Sequence, residues 1–129
     1  MSPSPVKKRL LVVDDEPAIV SVIKTAMELE GFEVLVAHDG LEGLEKAQRE
    51  LPDLIVLDIW MPKLDGFEVL RQLKEDDKTR GIPVIILTAY PSDYGALAAL
   101  KAEADQYLTK PFHPEKMVGL VRRLLGIDT

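Results

Sequence analysis

The sequence predicts a doubly wound α/β fold, in which five helices cover a five-stranded parallel sheet. Two observations predict it. Five short runs rich in Val, Ile and Leu recur along the chain, and segments with a helical spacing of apolar residues alternate with them. Such alternation is typical of a parallel sheet with right-handed crossovers and with helices on both faces.

The strand candidates are short. They are RLLVV (9–13), EVLVA (33–37), LIVL (54–57), PVIILT (83–88) and QYLT (106–109). The third candidate has four apolar residues in succession, without the polar alternation of a half-exposed strand. We therefore expect it to be buried on both faces.

Five segments carry an apolar stripe and are predicted to be helices. The stripes are Ile19, Ile23, Ala26 and Met27; Leu41, Leu44, Ala47 and Leu51; Phe67, Leu70 and Leu73; Leu97 and Leu100; and Met117, Leu120, Val121 and Leu124. The flanking residues agree with this assignment. Pro17 suits a first helical turn, Gly31 suits a helix end, and Asp39 and Asp65 suit N-caps.

Length and charge limit the organisation and the partners. With 129 residues the chain has the size of one domain, and we expect residues 1–7 to be a flexible leader and residues 8–129 a single domain. Lys and Arg number 16 against 22 Asp and Glu, a net charge of −6. This balance argues against direct nucleic-acid binding and favours a metal ion or a basic partner.

Cysteine usage and hydropathy exclude other classes. The sequence has no cysteine, which rules out disulfides, thiol catalysis and thiolate zinc sites. No apolar run has the length of a membrane span, and acidic residues follow the first apolar run too soon for a signal peptide. We expect a cytoplasmic protein that makes no membrane contact.

Polar residues follow four of the five predicted strands. They are Asp14, Asp15 and Glu16 after the first strand, Asp58 after the third, Thr88 at the end of the fourth, and Thr109 and Lys110 at the end of the fifth. Open parallel sheets bind ligands outside the carboxyl ends of their strands. Scattered caps and loop charges would not prefer this edge, so the sequence predicts one functional site there.

Carboxylates that converge at one edge repel each other unless a cation lies among them. Mg²⁺ prefers oxygen ligands, and Mn²⁺ is an acceptable substitute. Asp15 and Asp58 suit direct ligation, with Asp14 bound directly or through water. His38 and His113 both fall outside the cluster, which argues against zinc or copper.

A carboxylate, a hydroxyl and an ammonium around Mg²⁺ are suited to phosphoryl transfer. Asp58 is the candidate nucleophile, because a carboxylate can accept a phosphoryl group as an aspartyl-phosphate. Lys110 could pair with one phosphoryl oxygen, and the Thr88 hydroxyl could donate a hydrogen bond to another.

Four motifs resemble the receiver domain of two-component response regulators. They are VVDDE at 12–16, LIVLDIWMP followed by DG at 54–66, PVIILTA at 83–89 and DQYLTKPF at 105–112. All four occur in order, and the likeness runs from about Arg9 to Leu125. The resemblance implies a flavodoxin-like fold with strand order 2-1-3-4-5. It also implies that Asp58 is the phosphoacceptor, that Asp14 and Asp15 form the acidic pair, and that Trp60 gives its main-chain carbonyl to Mg²⁺.

The resemblance further implies how the domain signals. Lys110 would bind the phosphoryl group and precede Pro111 through a cis peptide, while Thr88 and Tyr107 would form a switch pair. The switched face would be that of helix 4, strand 5 and helix 5. The expected partners are a sensor histidine kinase or a histidine phosphotransfer protein, and a downstream protein on the switched face. A second copy of the domain, in a phosphorylation-dependent dimer, is a further expected partner.

Three alternatives have weaker support. A haloacid-dehalogenase-type phosphatase generally has an acid two residues after its nucleophile, where this chain has Trp60. A flavodoxin-like cofactor module needs a phosphate-binding loop after the first strand, where this chain has the acidic DDEP. A docking module that is never phosphorylated would not need the complete acidic set. We therefore expect a phosphoacceptor that assists its own phosphorylation and dephosphorylation but turns over no external substrate.

Two bulky residues stand two positions beyond site residues. Trp60 follows Asp58 and Tyr90 follows Thr88 at this spacing. We expect them to shield an acyl phosphate from water, although ordinary variation at the surface explains them equally well.

Overall fold

A computed structural model describes residues 7–61, 65–89 and 104–127. Their elements, in chain order, are β1 (Arg9–Val13), α1 (Pro17–Leu29), β2 (Glu33–Ala37), α2 (Gly40–Glu50), β3 (Leu54–Asp58), α3 (Gly66–Glu75), β4 (Val84–Thr88), β5 (Gln106–Thr109) and α4 (Pro114–Leu124). All five predicted strands are present. Helix α4 is the last of the five predicted helices, so the structure shows four helices over the described residues. The predicted helix with Leu97 and Leu100 lies outside them, as do residues 1–6 of the predicted leader.

The five strands form one parallel sheet in the order β2-β1-β3-β4-β5. The predicted topology is therefore confirmed. The strands end nearly level, since Val13 pairs with Leu57 and Thr88 pairs with Thr109. We call the end of the sheet after these residues the carboxyl edge, and the end where the strands begin the amino edge.

Alternate residues of the strands enter two separate cores, one on each face of the sheet. One core joins the sheet to α2 and α3 through Leu44, Ala47, Val69, Leu70 and Leu73. The other joins it to α1 and α4 through Val20, Ile23, Met27, Met117 and Val121. All five residues of β3 are buried, as expected for a central strand covered on both faces.

The apolar stripe predicted for α2 is wrong at two positions. Leu44 and Ala47 are buried, but Leu41 is 49% exposed and Leu51 is 47% exposed. The helix lies very close to β1, because a Cβ atom on Gly43 would be 2.6 Å from a methyl carbon of Val13. The buried face therefore combines Gly43 and Ala47 with Leu44, and Leu41 and Leu51 lie outside it.

The predicted helix boundaries are confirmed where they are described. The Asp39 side chain accepts a hydrogen bond from the Glu42 N–H at 2.9 Å, and the Asp65 side chain accepts one from the Glu68 N–H at 3.0 Å. Both are N-caps of the expected kind. Gly31 has φ +93°, the left-handed conformation that favours glycine after a helix.

Hydrogen bonds at the amino edge satisfy backbone groups of the loops. Their donors and acceptors are Arg9 N–H to Asp53 Oδ2 (2.7 Å), Val84 N–H to Asp105 Oδ2 (2.8 Å), Lys74 Nζ to Ile82 O (3.3 Å) and Thr79 Oγ1 to Leu73 O (2.7 Å). Each joins a side chain to the main chain, so these polar residues stabilise the fold. In the described part of the chain, no helix combines the length and apolarity that crossing a membrane would require.

Candidate functional site

Four carboxylates meet at the carboxyl edge. Asp14, Asp15 and Glu16 follow β1, and Asp58 is the last residue of β3. One oxygen from each of the four lies within 4.8 Å of the others. They meet because β1 and β3 are adjacent and end level, as the strand order requires. The predicted acidic site therefore forms from residues that are more than forty positions apart in sequence.

Lys110 places a cation among these acids from the end of β5. Its ammonium nitrogen is 2.6 Å from Glu16 Oε1, 3.0 Å from Asp14 Oδ2 and 3.5 Å from Asp58 Oδ2. Burial lowers the pKa of Lys110, but the contacts with Glu16 and Asp14 outweigh it and raise the pKa overall. The ammonium is therefore charged at neutral pH. The peptide bond from Lys110 to Pro111 is cis.

Asp58 is 4% exposed and only weakly compensated. Its Oδ1 accepts a hydrogen bond from the Trp60 N–H at 3.3 Å, and its Oδ2 is the most distant of the three acidic partners of Lys110. Burial raises the pKa of Asp58 to about 6, and the negative charge of Asp14 adds to this shift. Lys110 and the Trp60 N–H act in the opposite direction. Asp58 at neutral pH is thus an ionised carboxylate, and nearby positive charge balances its negative charge only in part.

Asp14 also lacks full compensation. Its Oδ1 accepts a hydrogen bond from the Glu16 N–H at 2.9 Å. Its buried Oδ2 is 3.0 Å from Lys110 Nζ but makes no hydrogen bond of acceptable geometry within the described residues. Burial raises the pKa of Asp14. A buried carboxylate oxygen without a hydrogen bond, beside three more acids, suits an oxygen-seeking divalent cation.

Gly66 holds the segment after Asp58 against the start of α3. Its N–H donates a hydrogen bond to Ile59 O at 2.8 Å. A Cβ atom at this position would lie 2.5 Å from Asp58 O and 2.6 Å from Ile59 Cα, both of them backbone atoms. No side chain fits here unless the backbone that carries Asp58 and Trp60 moves.

The structure also describes Thr88, Tyr107 and Trp60, three of the other predicted site residues. Thr88 is buried at the end of β4, the strand next to Asp58, while Tyr107 on β5 is 38% exposed. The Trp60 side chain is half exposed and contacts Phe67 edge to face, with ring centroids 6.2 Å apart. Tyr90 lies outside the described residues.

Sequence reasoning missed the contact between Glu16 and Lys110, the shortest of the three ion pairs of that lysine. Glu16 was placed at the strand end without a role. A signal was present, because Glu is an unusual residue at the N-cap of a helix, where Ser, Thr, Asp or Asn is preferred.

Comparison with known families agrees with this geometry. Residues 10–122 match the response regulator receiver domain family. The chain belongs to this family. It is a receiver domain of the kind found in response regulators.

The curated relatives are longer than this receiver domain. The alkaline phosphatase synthesis transcriptional regulatory protein PhoP of Bacillus subtilis is 43% identical over 118 residues, which are 92% of this chain and 48% of PhoP. The DNA-binding dual master transcriptional regulator RpaA of Synechocystis is 43% identical over 117 residues, 91% of this chain and 48% of RpaA. The chain spans about half the length of these relatives.

Solved receiver domains share the fold over nearly their whole length. The receiver domain of the Francisella response regulator 1452 has a TM-score of 0.86 and 38% identity, and covers 93% of this chain and 98% of its own. The receiver domain of the sensor histidine kinase PA1611 of Pseudomonas aeruginosa has a TM-score of 0.88 and 29% identity, and covers 94% and 99%. That structure has a magnesium ion coordinated in its active site cleft.

The raised pKa of Asp58 predicts a specific dependence of stability on pH. The folded protein binds the Asp58 proton more tightly than the unfolded chain does, with a pKa of about 6 against 3.8. Unfolding therefore releases this proton, and the contribution of Asp58 to the free energy of unfolding falls as pH rises through this window. Without divalent cations, Asp58→Asn should be more stable than the parent by about 3 kcal/mol at pH 7.5. The difference should vanish near pH 4.

Urea unfolding in the presence of a chelator measures this difference at each pH. Adding Mg²⁺ at pH 7.5 should reduce the difference in stability between Asp58→Asn and the parent, because a cation that binds the folded parent stabilises the parent. A stability difference that stays constant from pH 4 to pH 7.5 would contradict the prediction.

Proposed function

We propose that Asp58 accepts a phosphoryl group from a sensor histidine kinase, or from a histidine phosphotransfer protein, in a Mg²⁺-dependent reaction. The single observation that carries this proposal is the position of Asp58. It is a buried carboxylate at the end of the central strand, beside Asp14 and within 3.5 Å of the Lys110 ammonium. We further propose that residues 8–129 act as one receiver domain.

The transfer is a substitution at phosphorus. An Asp58 carboxylate oxygen forms the new bond to phosphorus, while the bond from phosphorus to the donor's histidine nitrogen breaks and leaves its electron pair on that nitrogen. A rigid strand end suits this reaction, because the attacking oxygen must stay in line with the leaving group. Gly66 supports that rigidity through the short approach of α3 to the backbone of residues 58 and 59.

Asp14, Asp15, Asp58 and the main-chain carbonyl of Trp60 are the groups that would hold Mg²⁺, with Mn²⁺ as a substitute. The ion, when bound, supplies positive charge for the acids and for the phosphoryl oxygens. Two observations support this assignment: the buried Oδ2 of Asp14 has an ion pair with Lys110 but no hydrogen bond, and the pKa of Asp58 is raised.

Lys110 and Thr88 would complete the binding of the phosphoryl group. The Lys110 ammonium is already within the acidic cluster and needs only a small movement to reach an oxygen on phosphorylated Asp58. Thr88 ends the neighbouring strand, where its hydroxyl can donate a hydrogen bond. Both contacts would strengthen as negative charge develops on the phosphoryl oxygens, which lowers the barrier to transfer.

We propose that phosphorylation then switches one face of the domain. This face would be formed by the predicted helix that contains Leu97 and Leu100, by strand β5 and by helix α4. Thr88 and Tyr107 would be the moving pair, with Thr88 buried and Tyr107 38% exposed before the switch. A doubly charged group can bias such a packed element between two arrangements. A downstream protein, or a second copy in a phosphorylation-dependent dimer, would bind this face without direct contact to nucleic acid.

Incubation with acetyl phosphate and Mg²⁺, followed by intact mass measurement, tests the proposal. We expect one labile phosphoryl group per chain, and none when a chelator is present. Continuous release of phosphate from p-nitrophenyl phosphate would instead favour the phosphatase alternative. Failure to form an adduct while Mg²⁺ binds would favour the docking module.

Trp60 provides a prediction about the lifetime of the phosphoryl group. Its half-exposed ring lies beside the site and is held by Phe67, so it can limit the access of water to phosphorylated Asp58. Trp60→Ala should accelerate dephosphorylation about fivefold, the effect of roughly 1 kcal/mol on the barrier. Trp60→Phe should keep most of the lifetime. Decay of the adduct after donor removal measures this, and equal rates for the parent and Trp60→Ala would refute it.

A further inference from the structure

Lys110 is drawn away from the phosphoacceptor. Its ammonium lies 2.6 Å from Glu16 but 3.5 Å from Asp58, and its side chain is only 10% exposed. One ammonium thus pairs with three acids, and its longest distance is to Asp58, the residue that should receive the phosphoryl group. An interaction with Lys110 during transfer therefore competes with an existing ion pair.

The Glu16 side chain, which makes this ion pair, does not cap the helix that follows it. Glu16 is the N-cap residue of α1, and its side chain makes no capping hydrogen bond. The helix begins instead with Pro17, which suits a first turn. Over the described residues, Lys110 is the only hydrogen-bonding or ion-pairing partner of the Glu16 carboxylate, across 94 positions of sequence.

We propose that Glu16 is a positioning residue that holds Lys110 away from Asp58 in the unphosphorylated domain, and so slows phosphoryl acceptance. This inference rests on the proposed function of Asp58. Loss of the Glu16 contact, as Lys110 turns to the phosphoryl oxygens, is then one step of activation.

Burial explains why Glu16, and not Asp14, is the partner that Lys110 can leave. The Glu16 side chain is 57% exposed, so its carboxylate is readily hydrated when the ammonium departs. The Asp14 side chain is fully buried, and an unpaired charge there is costly. A phosphoryl group on Asp58 carries more negative charge than the carboxylate it replaces, and this moves the balance of Lys110 toward Asp58.

Two substitutions at Glu16 separate this role from simple charge repulsion. Glu16→Gln keeps the length of the side chain and removes its charge. Glu16→Asp keeps the charge, but the side chain is one methylene too short to reach Lys110 in the same way. Both should accelerate phosphoryl acceptance about two- to fivefold, as expected from loss of a partly exposed ion pair. Glu45→Gln, on the exposed face of α2, makes the same change in net charge and should leave the rate unchanged.

The measurement is the initial rate of adduct formation by intact mass at saturating Mg²⁺, with acetyl phosphate and with phosphoramidate as donors. Release of Lys110 should give the same acceleration with both donors. If Glu16 acted by repelling an anionic donor, the acceleration in Glu16→Gln should be larger with acetyl phosphate, which carries more negative charge. Glu16→Asp, which keeps the charge, should then have the parental rate. Thermal unfolding of each variant confirms that the fold is retained.

Each outcome is decisive. Faster acceptance in both Glu16 variants, equal for the two donors, supports the inference. An unchanged or slower rate in Glu16→Gln, or acceleration in Glu16→Gln alone, overturns it and leaves Asp58 as the acceptor. A parent protein that forms no adduct overturns the proposed function itself.

Discussion

Asp58→Asn is expected to abolish phosphoryl uptake. The amide nitrogen and oxygen that replace the carboxylate carry no negative charge, and the remaining amide oxygen is a poor nucleophile toward phosphorus. The substitution changes few atoms and should fold well, because Asn is nearly isosteric with Asp and removes a charge whose burial raises the pKa to about 6. Intact mass after incubation with acetyl phosphate and Mg²⁺ should therefore show only the unmodified protein.

The control for this experiment is the same substitution at a distant acid. Asp77 is an exposed residue between α3 and β4, and its carboxylate pairs with Arg80. It therefore belongs to the connection that leads into the amino edge, not to the carboxyl edge. Asp77→Asn should form the adduct at the parental rate. An adduct on Asp58→Asn, mapped by peptide mass to another residue, would show that Asp58 is not the acceptor.

Lys110→Gln should slow phosphoryl acceptance about 100-fold, the usual cost of removing one charged group that stabilises a transition state. Lys110 is the only cation within 4.0 Å of Asp58 and Asp14 over the described residues, so the developing charge on phosphorus would lose its protein partner. Lys110→Arg should also be impaired, because a planar guanidinium does not occupy the place of a compact ammonium.

The same initial-rate measurement tests this second prediction. Lys24→Gln, on an exposed turn of α1, makes an equal change in net charge and should have no effect. Lys110→Gln should also need more Mg²⁺ to fold with parental stability, since the acids lose the one cation that pairs with them among residues 7–61, 65–89 and 104–127. A rate within twofold of the parent would mean that the ammonium does not contact the phosphoryl group during transfer.

The strands were predictable from sequence because they are short aliphatic runs, and burial on both faces leaves central strands such as β3 and β4 with no polar alternation. That signal located all five strands within one residue at each end. The order of the strands came from the resemblance to receiver domains. The stripe of α2 was predicted less well, because the distance between this helix and β1 depends on Gly43 meeting Val13. A helical periodicity of leucines contains no information about that tertiary contact.

The acidic site was predictable for a related reason. Parallel strands deliver the residues that follow them to one edge, so Asp14, Asp58 and Lys110 were expected together before any distance was known. The N-cap position of Glu16 was unusual enough to mark this residue, but the acid that lies closest to Lys110 was not predictable. Three acids compete for one ammonium, and differences of less than 1 Å between their oxygens decide the outcome.

The two edges of the sheet differ in what their polar residues do. At the amino edge, the side chains of Asp53, Asp105 and Thr79 form hydrogen bonds with the backbone. At the carboxyl edge, the negative charges of the acids are only partly balanced, and Asp14 Oδ2 has no hydrogen bond. Substitutions at the amino edge should therefore change the stability of the fold and leave the acidic site unaltered, whereas substitutions at the carboxyl edge, such as Asp58→Asn, change both stability and chemistry. Selection, or a designer, can strengthen the amino edge of the sheet without retuning the other.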